Sequence, residues 1–237
     1  MADYIKSNIL SQSYVHVEPE WLNSVSDSEK RKAIVEIHNK VSSFSEERIR
    51  FFLDDDVHIE IKFEDGSIRA WVTTYGPVLL LIGSTITNYS SFRESIKHLV
   101  SDSQRVADII NAEVLFQSKS RSKKEVLRVE SRKGVIGSID RINNKIDAIE
   151  GRLKRGDCSP TLINEDLLDL NKLILELFSN IKDDDDAKLI AMALHDGIAS
   201  LNIKKGRFKI KDSVDQYMYK SLSDEKKLIL KNLGSHK

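Results

Sequence analysis

The sequence predicts an α+β fold, predominantly helical: a small antiparallel β-hairpin or sheet covered by helices, followed by an antiparallel helical bundle with heptad-like seams. Three observations predict it. Three successive segments late in the chain repeat apolar residues at alternating steps of four and three; between residues 54 and 75 the apolar period drops to two; and the composition, 31% charged with three prolines and ten glycines in 237 residues, favours helices over a sandwich or barrel. The expected organisation is an α+β half over 1–117, a basic connector over 118–134 and a bundle over 135–237.

Residues 1–20 show no sustained period and read as irregular chain or an edge element. A first helix follows, because Ser26 and Glu29 have capping-box spacing and Ile34, Ile37 and Val41 form a stripe that Phe44 closes. Val57, Ile59, Ile61 and Phe63 then alternate with His58, Glu60 and Lys62. Glu64-Asp65-Gly66 supplies a turn, and Ile68, Ala70 and Val72 alternate with Arg69, Trp71 and Thr73, which makes a hairpin over 54–75. The run 77–86, PVLLLIGSTI, is apolar on consecutive positions and reads as a third strand covered on both sides, in preference to a short buried helix. Ser91 and Glu94 repeat the capping-box spacing, and Phe92, Ile96, Leu99, Val106 and Ile110 predict a long helix from about Ser91 to Phe116.

The stretch 118–134 breaks this pattern with Lys119, Arg121, Lys123, Lys124, Arg128, Arg132 and Lys133 against only Glu125 and Glu130. Beyond it come the seams. The first is Val135, Ile139, Ile142, Ile146, Ile149 and Leu153; the second Ile163, Leu167, Leu170, Ile174, Leu177 and Ile181; the third Ala187, Ala191, Leu194, Ile198 and Leu201. A repeat averaging 3.5 residues keeps one side of a helix turned toward a partner. Ser159-Pro160 reads as an N-cap with proline at the first helical position, and Asp183 to Asp186 place carboxylates at the positive end of the third helix dipole. Short connectors demand antiparallel neighbours. Off-seam Leu162, Leu168, Leu173, Leu175 and Phe178 make the middle helix the most enclosed. NIKKGRFKIK, 202–211, reads as a short hairpin around Gly206, and a last helix is capped near Ser223.

Composition excludes several classes. Lys plus Arg equals Asp plus Glu at 37 each, so no global field steers the chain toward nucleic acid or anionic lipid, and such a role must come from local patches. The single cysteine, Cys158 in an exposed-looking connector, can form neither an intramolecular disulfide nor a sulfur-based zinc site. The first twenty residues lack the pattern of a secretory signal, and the longest apolar stretch, from Val78 to Ile82 with a semi-polar continuation, is far below the roughly 20 residues of a membrane helix. The expectation is a cytoplasmic protein with no membrane contact and no cofactor.

No motif names a reaction. Glu60-Ile61-Lys62 has the spacing of a metal-dependent nuclease half-site, but the acids that should join it, Asp54, Asp55 and Asp56, lie on the approach to the same strand. His195-Asp196 pairs two metal-ligand types while His38 and His98 lack partner motifs, and Asp183 to Asp186 lack the alternation of a calcium loop. There is no glycine-rich phosphate loop or nucleophile elbow. The leading expectation is therefore an interaction or assembly subunit that meets a protein partner or a second copy through the seam Val135, Ile139, Ile142, Ile146, Ile149, Leu153. The alternative partner is nucleic acid, held by the cations of 119–133 and 204–211 with Arg152, Lys154 and Arg155 between them; Phe116 and Phe208 are the only aromatic residues nearby, so single-strand base stacking is poorly provided for. A nuclease using Glu60 and Lys62 is the third.

Overall fold

A computed structural model describes residues 9–64, 68–83, 88–156 and 158–236, without the side chain of Lys205. Four strands and seven α-helices follow one another among them. They are β1 (Ile9–Val17), α1 (Asp27–Phe52), β2 (His58–Glu64), β3 (Ile68–Tyr75), α2 (Val78–Ile82), α3 (Tyr89–Gln117), β4 (Val126–Arg132), α4 (Gly134–Arg155), α5 (Pro160–Asn180), α6 (Asp184–Ala199) and α7 (Ser213–Gly234). The fold is α+β and mainly helical. The chain forms two compact units, one of the described residues up to Leu81 with His98–Gly137, the other of Ile82–Lys97 with the described residues from Ser138 on. No helix among the described residues is long and apolar enough to cross a membrane.

The first unit is built on an antiparallel sheet ordered β2-β3-β1-β4. One face carries Val15, Ile68, Ala70 and Val72, all 0–2% exposed. Helices α1 and α3 cover that face: the His38 ring packs edge-on against Phe63 at 5.0 Å, and the Ser13 hydroxyl donates to the Ala107 carbonyl of α3 at 3.3 Å. The predicted phase of β2 and β3 holds, but Ile59, Ile61 and Phe63 are only half-buried because β2 is an edge strand. The Asp65-Gly66 turn lies outside the described residues. The predicted capping box of α1 is present: Ser26 Oγ accepts from the Glu29 amide, and Glu29 accepts from the Ser26 amide. The buried stripe continues through Ser45 and Ile49 rather than closing at Phe44.

Three expectations for this half are overturned. Residues 9–17 are an inner strand, not irregular chain; Ser11 and Ser13 occupy the buried face, so hydroxyls hid the period of two. They are buried at no cost in lost hydrogen bonds, since Ser11 Oγ pairs with Thr74 Oγ1 at 2.8 Å and Ser13 with Ala107. The interval 118–134 is not a bare connector, because Val126–Arg132 is β4 and pairs with β1. The run from Val78 to Ile82 is helix α2 rather than strand, and Ser84 to Thr87 lie outside the described residues. Consecutive apolar residues satisfy a buried turn of helix as well as a buried strand.

In the second unit, α3 starts three residues earlier than the Ser91 cap predicts: Asn88 Oδ1 accepts from the Ser91 amide at 3.0 Å while Ser91 Oγ accepts from the Asn88 amide at 3.3 Å. Helices α4 and α5 are antiparallel, tied where Lys145 (2.8 Å) and Arg152 of α4 both meet Asp166 of α5. The predicted caps at Ser159-Pro160 and Asp183 are present. Helix α7 runs parallel to α5, since Asp215, Ser221 and Asn232 meet Ser159, Asn164 and Asn171 in the same order.

The first seam is not an exposed interaction surface. Val135 is 7% exposed, and Ile139, Ile142, Ile146, Ile149 and Leu153 are 0–2%, so α4 turns its seam into the chain's own interior. Cys158, expected in an exposed connector, is 7% exposed. The segment 202–211 is no hairpin; it contains a 3-10 turn at Lys205–Arg207 and a lone bridge between Cys158 and Phe208. Helix α7 begins at the cap Asp212, eleven residues ahead of the expected cap, so Ser223 lies within it. Asp212 and Asp215 supply the N-terminal signal there, Asp212 accepting from the Asp215 amide at 2.8 Å.

Candidate anion-binding surface

Seven cations crowd 119–133, and the fold separates them into two sets within the first unit. Helix α3 ends in a Schellman motif: Ser120 N–H reaches the Leu115 carbonyl and Lys119 N–H the Phe116 carbonyl, both at 3.1 Å. This geometry puts Lys119 at φ 58°, the left-handed position that glycine usually takes. Ser118 and Ser120 are buried, their hydroxyls 3.1 Å apart, and the Trp21 indole N–H donates to the Ser118 carbonyl at 2.8 Å. The loop is thereby anchored at its start.

Its end is fastened by one carboxylate. Glu125 accepts from the backbone amides of Ser122 (3.0 Å), Glu20 (3.1 Å) and Arg121 (3.1 Å), and its own carbonyl accepts from Glu18 N–H at 2.8 Å. The Ser122 and Glu20 amides, with the Ser122 hydroxyl and the Arg121 amide, hold this carboxyl down at about 2. Glu125 therefore acts as a clasp on the main chain rather than as a counter-ion. Lys119, Arg121, Lys123 and Lys124 all point outward and exposed, and none has a carboxylate within ion-pairing distance among the described residues. Lys119 only helps Lys40 to keep the Glu36 carboxyl below its usual range.

Of the other cations, the arginines of β4 are engaged. On β4, Arg128 and Arg132 both pair with Glu130, the latter at 2.7 Å, and hydrogen bonds from Arg132 first and Arg128 next hold the Glu130 carboxyl low. Their guanidiniums also lie 5.7 and 5.9 Å from the Tyr14 ring, which packs on Trp71 at 4.9 Å. Lys133 is exposed at the strand end. The cations of 204–211, with Arg152, Lys154 and Arg155, belong to the second unit, where Arg152 meets Asp166 and Lys154 meets Glu150 at 2.9 Å. Phe208 is buried against Tyr219, whereas Phe116 is 68% exposed beside the loop.

Next to Phe116 lies a groove of about 490 Å³ lined by Trp21, Val25, Ala33 and Ile37 and by Lys40, Lys119 and Arg121. Glu29 and Glu36 also line it, but the first caps α1 through Ser26 and the second is paired with Lys40 at 2.6 Å. Sequence reasoning named the loop cations and Phe116 and missed Trp21 and the Glu125 clasp. The capping-box spacing of Ser122 and Glu125 was the available signal.

The catalytic candidates do not converge. Glu60 and Lys62 pair with each other at 2.7 Å on the open face of the hairpin, and the Tyr75 hydroxyl donates to Glu60 at 2.7 Å. Burial and the Glu60 carboxylate push Tyr75 up to about 12. Asp54 accepts from the Asp56 amide at 2.9 Å, as a turn carboxylate does. His195 lies 3.5 Å from Asp196, and His38 packs on Phe63. Among the described residues no group of three His, Cys, Asp or Glu side chains could hold a metal ion. The chain matches no protein-family model, no curated protein and no solved structure.

Proposed function

We propose that the protein binds nucleic acid without catalysis, gripping phosphates through the loop 118–125. The observation that carries this reading is the exposure of Lys119, Arg121, Lys123 and Lys124 on a loop whose own carboxylate is engaged by main-chain amides. Cations without an ion pair on one anchored loop favour a polyanion, because no internal ion pair has to be broken before a phosphate is met. Phosphate contacts carry no base information, so the affinity is sequence-independent and electrostatic.

Fluorescence anisotropy of a labelled oligonucleotide across a salt series tests this. Four phosphate contacts give a logarithmic salt slope of about −2.8 on a single strand and about −3.6 on B-form duplex. A flat salt response, or no binding at low salt, refutes the proposal.

A second reading, an assembly subunit, is favoured by a different surface from the buried seam. Leu168 and Leu175 of α5, Met192 of α6 and Val214, Tyr217 and Leu228 of α7 are 40% or more exposed, and apolar side chains in such number suit a protein partner or second copy. Light scattering of the purified protein decides it: a concentration-dependent dimer supports this reading, and a monomer that holds no partner on purification removes it.

A further inference from the structure

We infer that the loop surface takes single-stranded rather than duplex nucleic acid, with one unpaired base entering the groove beside Phe116 while its flanking phosphates meet Lys119 and Arg121. This inference rests on the phosphate-binding reading above and gives it a substrate class. Phe116 is the penultimate residue of α3 and 68% exposed, so a large apolar ring is presented to solvent at a fixed place immediately before the capped turn. Trp21 lines the same groove and is held by its N–H bond to Ser118, so its indole is positioned without help from a ligand. Lys119 and Arg121 line the same groove as these apolar side chains, which matches a ligand that is flat and apolar in one part and anionic in the next. Both carboxylates of the groove are engaged, Glu29 by the Ser26 cap and Glu36 by Lys40, which leaves Lys119 and Arg121 as its cations without an ion pair among the described residues. A duplex keeps its bases stacked inside and can offer this groove only backbone.

The chain has two tryptophans, so Trp71→Phe leaves Trp21 as the sole indole reporter. The probes are a short single-stranded oligodeoxynucleotide and the same strand annealed to its complement, read by anisotropy and by tryptophan emission. The single strand is expected to bind more tightly and to quench Trp21, the duplex to bind without quenching, and Phe116→Ala to weaken single-strand binding by about 5- to 150-fold while leaving the duplex unchanged. Because Phe116 is exposed, circular dichroism should show the variant folded. Should Trp71→Phe disturb the sheet, anisotropy on the unaltered chain and on Phe116→Ala gives the same comparison. Equal affinity for both probes, with emission unchanged and no effect of Phe116→Ala, overturns this inference and leaves the phosphate grip standing. Absence of binding to either probe overturns both.

Discussion

The loop 118–125 and strand β4 are adjacent in sequence, both basic, and opposite in what they offer. Each contains one glutamate. Glu125 accepts three backbone amides and leaves its cationic neighbours without an ion pair, whereas Glu130 gathers Arg128 and Arg132 and neutralises the strand. The difference lies in backbone geometry. At the turn, the free amides of Arg121 and Ser122, joined by that of Glu20 from a distant segment, meet one carboxylate; in an antiparallel strand the amides belong to the ladder, and side chains two residues apart share a face, so a glutamate finds its arginines instead. Counting charges in a stretch thus says less than knowing which hydrogen-bond donors its carboxylates meet.

The largest expected effect comes from changing Lys119, Arg121, Lys123 and Lys124 to Gln together, which should remove about 2.8 units of single-strand salt slope and with them nearly all affinity at low salt. The corresponding double change of Arg128 and Arg132 should leave the slope almost untouched. If the strand pair proves the more damaging, the contrast between the two regions is wrong.

Glu130→Gln reverses the logic. Releasing two guanidiniums should raise nucleic-acid affinity and steepen the slope by as much as about 1.4 on a single strand, while stability changes by no more than about 1 kcal/mol, as for other solvent-reached ion pairs. Salt titration and thermal melting read the two quantities separately.

Lys119→Gly separates stability from binding at one residue. Relieving a non-glycine φ of 58° should raise stability by up to about 1 kcal/mol in urea melts, and losing one phosphate contact should lower the slope by about 0.7. A variant both less stable and unaltered in binding would sink this account of the cap.

The smallest effect concerns pH. The Glu125 carboxyl lies at about 2 in the folded chain against an ordinary 4.5, so the unfolded chain takes up the proton first; the clasp stabilises the fold above about 4.5 and is lost as pH falls toward 2. Glu125→Gln should flatten stability against pH over that window. An unchanged acid limb would show that the clasp adds nothing to folding.

Much of this fold could be read in the chain, and the exceptions share a cause. The Ser26 box, the alternation of β2 and β3, the Ser159-Pro160 cap and the seam of α4 are local patterns, and the structure contains each of them. Strand β1 was hidden because Ser11 and Ser13 are polar residues made tolerable in the interior by Thr74 and Ala107, partners far away in sequence. Strand β4 was hidden because an edge position lets charged side chains replace apolar ones. The seam itself shows how a correct pattern can carry a wrong role: a narrow apolar stripe reads the same whether its partner is another chain or another helix of its own. For the surface, the cations were visible and their availability was not, since that depends on Glu125 meeting the Glu20 amide from 105 residues away.

The order β2-β3-β1-β4 also sets a timetable for biosynthesis. Gln12 of β1 pairs with Thr73 on one side and Arg132 on the other, so its second neighbour emerges from the ribosome only after some 120 further residues. At a translation rate of about 5–20 residues per second, one edge of β1 stays open for on the order of ten seconds. Nascent chains stalled before β4 are expected to be cleaved by protease within β1 and β3, and chains stalled well beyond it to resist. Equal resistance at both stall points would show that the sheet closes without its last strand.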